Sequence, residues 1–306
     1  MTQNSNPLKQ YFRQPSVYLR LPSEGNFWPK GSIDMPPNQE LPVLPMTAID
    51  EITYRTPDAL FNGSAVVNVI QSCIPDIRDA WSAPGTDINS ILVAIRIASY
   101  GHDMEINSQC PECKNEDEYT IDLRIVLDGL QMPDYVTPLR EGDLEIAFQP
   151  MTYRDQNDVN LKQFEEQRVL QAVPSSDLPD DQKLEMLNQA LQKITELTVS
   201  ALKWNIASIR TPQVLVTDPG HIEEFLRNAD RKLFIKIRDL IIEKRNTSEF
   251  KPVQIRCAAC EHEYKQTVTL DQTSFFDQAS WACRLKKFPP LLNAWKRRQT
   301  SWKPSV

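Results

Sequence analysis

Apolar positions change their period several times along the chain, and each change marks an element. Residues 17–21 (Val-Tyr-Leu-Arg-Leu) alternate apolar with other side chains until Pro22, the two-residue period of a strand. Ser23-Glu24-Gly25-Asn26 then supplies a turn. Residues 41–46 (Leu-Pro-Val-Leu-Pro-Met) carry too much proline for a central strand and read as an edge strand or a docked extended segment. Residues 1–46 are therefore expected to form an extended N-terminal arm with β character. From residue 47 the pattern turns helical. Thr47 with Asp50 or Glu51 resembles a capped helix start, and Thr56-Pro57 offers a second. A short apolar helix is expected at 64–72, stopped by Ile74-Pro75, and a longer one at 87–100. In the longer one Ile88, Ile91, Leu92 and Ile95 share a face, and Gly101 sits where a helix-ending glycine belongs.

The period returns to two at 144–148 (Leu-Glu-Ile-Ala-Phe) and then to helix over 150–250. Leu184, Leu187, Leu191, Ile194, Thr198 and Ala201 recur at steps of three and four, a stripe of nearly coiled-coil spacing expected to pack within the chain's own core. Asp218-Pro219 caps a helix running to about Asn228, and Asp230 caps another with Leu233, Phe234, Ile237, Leu240 and Ile241 inside. The pattern predicts an α+β protein in five parts: an extended arm (1–46), a helical region ending in β structure (47–149), a helical insertion (150–250), a second β segment (251–275) and a C-terminal tail (276–306).

Composition narrows this picture. With 306 residues and 41% hydrophobic content the chain can bury a substantial core. No apolar run reaches membrane-span length, and the N-terminus lacks a basic-then-apolar signal pattern. Proline outnumbers glycine 23 to 8, which favours stiff, extended connections over flexible ones. A net charge of −7 argues against general nucleic-acid binding, yet residues 284–306 hold seven cations and no acid.

The strongest chemical signal is a pair of Cys-x-x-Cys knuckles, Cys110/Cys113 and Cys257/Cys260, separated by the 143 residues 114–256. Their flanks are alike: aligned on the cysteines, Thr120, Ile121 and Leu123 fall on Thr267, Val268 and Leu270. Possible short strands precede both, at 104–107 and 253–256. Two thiolates three residues apart on a tight turn can both face one metal ion, so two such turns complete a tetrahedron. The layout is that of a split zinc ribbon holding one structural Zn²⁺ per chain. A redox dithiol needs only one such pair, commonly at a strand-to-helix turn, and fits less well. His262, two residues after Cys260, is a competing ligand. Cys73 and Cys283 lack ligand spacing and read as small buried hydrophobes. Four thiolates close the coordination shell, so the ion is expected to be a staple without chemistry of its own.

Nothing else in the sequence points to catalysis. There is no glycine-rich nucleotide loop and no Gly-x-Ser-x-Gly turn, and His102, His221 and His262 are scattered. Glu116-Asp117-Glu118 reads as a solvated rim of the first knuckle, and Asp180-Asp181 as a favourable helix start. In the tail, Trp281, Arg284, Lys286, Lys287, Trp295, Lys296, Arg297, Arg298 and Trp302 mix aromatic and basic side chains. Such a mixture suits single-stranded nucleic acid, a membrane surface or a protein partner. Pro289-Pro290 breaks any long amphipathic helix, and Trp with Arg is the composition of protein interface anchors, which favours the protein partner.

Several stretches resemble a family of baseplate proteins from contractile-tailed bacteriophages of the T-even type. They are Tyr18-Leu19-Arg20-Leu21-Pro22 with Phe27-Trp28-Pro29; residues 46–63 from Met46-Thr47-Ala48 to Phe61-Asn62-Gly63; Ile74-Pro75-Asp76; residues 87–102; the Cys110 knuckle; and residues 148–154, Phe-Gln-Pro-Met-Thr-Tyr-Arg. The resemblance covers about residues 10–155, with the second knuckle at 253–270 plausible. It implies a structural or assembly role in the central baseplate hub of the virion tail, put together in the host cytoplasm. The partners it implies are hub, spike, tail-tube or tape-measure proteins. It carries over no catalytic residue and implies no membrane contact. The alternative from a different class is a zinc-ribbon nucleic-acid regulator that binds through the basic tail. An enzyme built on acidic residues of the insertion ranks last.

Overall fold

The alternation near the N-terminus is realised as β1 (Val17–Leu19), paired antiparallel with β2 (Leu41–Val43) so that Tyr18 faces Pro42. A proline fits in β2 because this sheet has two strands and each has a free edge. In this computed structural model, residues 6–55, 63–176 and 179–267 are described. The chain divides into two units, 1–269 and 270–306, and every element below belongs to the first. The expected arm is not an arm over most of its length. Leu19, Leu21, Trp28, Leu41 and Val43 are buried. An alternating ribbon leaves one apolar face that must be covered, and the chain covers it with its own helices. The first described residues stay outside: Leu8, Tyr11 and Phe12 are exposed. They are tethered by Arg13, whose guanidinium donates to Pro45 O (2.8 Å), Asp50 Oδ2 (3.0 Å) and Ser72 O (2.7 Å).

The helical region begins with α1 (Ala48–Tyr54), closed by a reciprocal capping box between Thr47 and Asp50. The Thr56-Pro57 cap lies outside the described residues. α2 (Ser64–Cys73) starts from Gly63 at φ 76°, a left-handed backbone that favours glycine, and a Cβ there would come within 2.5 Å of Asn157 Oδ1 and displace that side chain. α3 (Gly85–Tyr100) ends at Gly101, as the sequence predicts. It is not the one-faced helix expected. Val93, Ala94, Thr86 and Ser90 are buried along with Ile88, Ile91, Leu92 and Ile95. The reason is its position: β1, β2, α2 and two later helices pack around it.

At its first turn α3 carries a buried carboxylate, Asp87, with no exposed surface. Ser23 N donates to Oδ1 (3.0 Å), Trp28 Nε1 donates to Oδ2 (2.8 Å), and the Ser23 hydroxyl donates to Oδ2 as well. Asp87 thus ties the N-terminal segment to the central helix. Burial pushes its carboxyl above the ordinary value of 3.8, against the opposing effect of these donors.

Beyond α3 the chain forms a hairpin of β3 (Asp103–Gln109) and β4 (Glu116–Asp122), then the short α4 (Leu123–Asp128), capped by Asp122. A four-stranded antiparallel sheet follows in sequential order: β5 (Leu139–Glu141), β6 (Leu144–Phe148), β7 (Ile206–Arg210) and β8 (Leu215–Val216). Residues 206–216 are expected as helical insertion, and here they are strands. Between β6 and β7 stand α5 (Tyr153–Ala172) and α6 (Asp180–Lys203), which pack along each other. After β8 come α7 (Pro219–Asn228) and α8 (Arg231–Ser248), capped by Asp218 and Asp230 at the positions read from the sequence. Ile222, Leu226, Ile237 and Ile241 of these helices join Ile146, Phe148, Ile206 and Ile209 of the sheet in one core, flanked by Leu233, Phe234 and Leu240.

The α6 stripe is only partly internal. Leu187, Ile194 and Ala201 are half-buried, but Leu184 (61%) and Leu191 (52%) are exposed, as is Thr198. The more buried side of α6 lies one position further round, on a face that includes Leu187, Ala190, Ile194 and Leu197. A final hairpin of β9 (Val253–Arg256) and β10 (Glu263–Gln266) completes the described chain.

Replacing Asp87 with Ala strands three buried donors, and the expected cost is about 2–4 kcal/mol in urea unfolding. The folded carboxyl titrates above its unfolded value of 3.8, so its contribution is complete below that pH and is lost as pH rises through the folded value. Asp87→Asn imitates the neutral carboxyl and should remove this part of the pH dependence. Identical pH profiles for the native protein and Asp87→Asn would contradict the assignment.

Candidate metal centre

Both knuckles are hairpin turns, and the backbone builds them in the same way. In the first, Cys110 N donates to Asn115 O (2.9 Å) and Lys114 N to Cys110 O (3.0 Å), with Lys114 at φ 61°. In the second, Cys257 N donates to His262 O (2.9 Å) and Glu261 N to Cys257 O (2.9 Å), with Glu261 at φ 59°. The hydrogen bonds and the left-handed residue correspond under one shift of the numbering. Exposure corresponds too: Cys110 and Cys257 are buried, Cys113 and Cys260 exposed. The register Gln109↔Glu116 in one hairpin matches Arg256↔Glu263 in the other. A left-handed residue costs little where it lets the chain turn back into its partner strand, and both sequences accept that cost at the same place.

The two hairpins meet. Ser108 Oγ lies 2.9 Å from Tyr264 OH and donates to Gln266 Oε1 (2.7 Å). This brings all four sulfurs within 4.8 Å of one another. Contacts run crosswise, Cys110 Sγ to Cys260 Sγ at 3.7 Å and Cys113 Sγ to Cys257 Sγ at 3.6 Å. A regular tetrahedron with metal–sulfur distances of about 2.3 Å has sulfur–sulfur edges of about 3.8 Å. The separations therefore fit one four-coordinate ion and exceed a disulfide bond of about 2.05 Å.

Electrostatics point the same way. The Cys257 thiol is lowered to about 6, chiefly by the Cys260 amide N–H, with the Ala259 amide and the Cys113 and Cys260 sulfurs adding to the effect against desolvation. At Cys260 the largest single influence, the His262 amide, also lowers the thiol. The Cys113, Cys257 and Cys110 sulfurs together with desolvation outweigh it and push the thiol up to about 12. One thiolate is thus accommodated at the expense of its neighbours, and four require a cation among them.

His262 is not a fifth contributor. Its ring stacks on Tyr264 at a centroid distance of 6.3 Å, and its carbonyl shapes the turn. Among the described residues, the group of metal-ligating side chains that converges is the four cysteines. Cys73 is buried, and burial, with the Asp50 carboxylate adding to it, pushes its thiol up to about 12 against the effect of Arg13, whose guanidinium lies 3.9 Å from the sulfur. Glu116, Asp117 and Glu118 lie along β4 with Glu116 and Glu118 exposed, and Asp180 and Asp181 open α6. Cys283 and the tail residues Trp281, Arg284, Lys286, Lys287, Trp295, Lys296, Arg297, Arg298 and Trp302 lie outside the described residues. Sequence reasoning did not find Asp87 as a buried anchor; an acid three residues into an apolar helix was its only signal.

Fold and site together define a mixed α+β protein whose distant segments are joined by four cysteines in a metal-compatible cluster. A family model described as T4 bacteriophage base plate protein matches residues 46–277, and the chain belongs to that family. It is a structural component of the phage tail baseplate. No curated protein and no solved structure matches the chain. Among the described residues no helix is long and apolar enough to cross a membrane.

If the cluster holds an ion, Cys110→Ser and Cys257→Ser, each removing a buried sulfur of the cluster, should lower unfolding stability by on the order of 3 kcal/mol or more, and a chelator should do the same to the native protein. Unchanged melting in both variants and in chelator would show that the cluster holds nothing.

Proposed function

We propose that this protein is a non-enzymatic structural or assembly component of the central baseplate hub, built around a split four-cysteine zinc ribbon. One structural Zn²⁺ per chain would be held by Cys110, Cys113, Cys257 and Cys260. The observation that carries the proposal is the convergence of four sulfurs within 4.8 Å, in a chain of the baseplate family. An all-thiolate donor set with tetrahedral spacing suits zinc. Such a shell has no position for water or substrate, so the ion's contribution is to rigidity. Binding energy on the order of 10 kcal/mol becomes folding energy in sites of this type.

A part that docks between neighbours needs a fixed shape more than a mobile one. The staple would fix the ends of the insertion relative to each other. Partner contact would then fall to the basic aromatic segment from Trp281 to Trp302, with Arg284, Lys286, Lys287, Lys296, Arg297 and Arg298 as anchors. Those partners are hub, spike, tail-tube or tape-measure proteins, met during assembly in the host cytoplasm. The exposed N-terminal group Leu8, Tyr11 and Phe12 offers a smaller second contact.

Native mass spectrometry of the tagged protein from infected cells tests this. The expected result is one zinc per chain and co-purifying hub, spike, tube or tape-measure proteins. Zinc with bound nucleic acid and no tail protein would instead indicate a regulator acting through the tail, and loss of that binding on removing residues 284–306 would locate it.

A further inference from the structure

Helix α8 carries a second pattern besides its core face. Leu233, Phe234, Ile237, Leu240 and Ile241 form or flank the core. On a separate side Arg231, Ile235, Arg238, Ile242 and Arg245 follow one another at steps of four, three, four and three. That spacing keeps them on one line of the helix, a strip roughly 20 Å long. The three arginines are exposed, Ile242 is 47% exposed and Ile235 is half-buried. A solvated face has no use for isoleucine twice at one heptad position, and a core face has none for a row of arginines.

The cations are available to a partner. Arg231 makes no ion pair among the described residues. Arg238 meets only its neighbour Asp239 (2.7 Å), and Arg245 meets Glu249 (3.2 Å), with both carboxylates more than half exposed. Exposed pairs of this kind contribute little and exchange readily for a better-placed acid. At its Arg231 end the strip reaches an open groove of about 440 Å³, lined also by Val199, Leu226 and Phe234.

We infer that this strip is the docking surface for one acidic amphipathic helix of another baseplate protein. Its carboxylates pair with Arg231, Arg238 and Arg245, its apolar side chains pack on Ile235 and Ile242, and an apolar residue at its end lodges beside Phe234. The inference rests on the baseplate family and needs neither the metal ion nor the hub assignment. Charge selects the occupant. A second copy brings the same row of arginines, so an isologous contact would gather both rows in one seam. The chain's own residues 284–306 hold seven cations and no acid, so they lack the carboxylates as well. Nucleic acid phosphates would answer the arginines but leave Ile235 and Ile242 facing water. A helix that alternates acid and apolar residues at the same steps satisfies both sets of side chains.

The test uses the full chain made in infected cells, with Ile242 replaced by the photoreactive residue p-benzoylphenylalanine. After irradiation the linked product is digested and sequenced by mass spectrometry. The expected peptide comes from another baseplate protein and carries Asp or Glu at three- and four-residue steps beside apolar residues. Combining Arg231→Glu, Arg238→Glu and Arg245→Glu should lower the link by at least about tenfold without changing the melting temperature, and changing the acids of the linked peptide to Lys should restore it. Should the triple variant melt early, Arg231→Gln carries the reading, because its side chain forms no internal ion pair. A link to a second copy, to nucleic acid or to a peptide without acids would overturn the inference. So would the absence of any link, or a folded charge-reversed variant that links as well as the native chain. Zinc and co-purifying hub proteins found without a link at residue 242 would remove this inference and leave the proposed function standing.

Discussion

Four sulfurs from two turns, 143 residues apart in sequence, lie within 4.8 Å of one another. Bringing chain segments together over that separation costs loop-closure entropy, though the cost grows only slowly with length. Like charges then make the convergence worse as the thiols ionise. At Cys260 the His262 amide lowers the thiol but is outweighed by the neighbouring sulfurs and desolvation, which push it up to about 12, while the Cys260 amide leads the donors that lower Cys257. A cation at the centre relieves both difficulties, and the matching backbone of the two knuckles presents the sulfurs for it. The polar contacts from Ser108 to Tyr264 and Gln266 give the hairpins a meeting surface besides the sulfurs.

Much of the rest is organised around that closure. The segment between the knuckles contains α4, the four-stranded sheet and the helices α5 to α8. Its two ends are hairpin strands β4 and β9, and both lead into the cluster. The sheet core formed with α7 and α8 can therefore be oriented by the cluster at one side. On the other side of the first hairpin stands α3, buried nearly all round and tied to the N-terminal segment through Asp87. Leu123 N donates to His102 O (2.8 Å), which binds the far end of the hairpin to the end of α3. A hydrogen-bonded route thus runs from Ser23 and Trp28 through α3 to the first hairpin.

Local signals were legible in the sequence. Thr47, Asp218 and Asp230 marked helix starts, Gly101 marked an end, and the Cys-x-x-Cys spacing marked both turns, because each of these acts over four residues or fewer. What depended on distant partners was not legible. Residues 206–210 become a strand because β6, nearly sixty residues earlier, offers an edge with Ile146 opposite Ile209. The burial of α3 on all sides follows from neighbours that arrive later in the chain. Leu184 and Leu191 looked internal by spacing, but the buried side of α6 is the adjacent one, at Ala190. The apparent arm was core because its apolar alternation had no other cover. The cluster itself was readable because metal ligation imposes a spacing rule that survives any intervening fold.

The central claim is that the four cysteines jointly hold one ion. X-ray absorption at the metal edge of the purified native protein addresses it most directly. The account predicts zinc with four sulfur neighbours at about 2.3 Å and no nitrogen or oxygen scatterer. A shell with fewer than four sulfurs, or a folded protein that carries no metal, would contradict it.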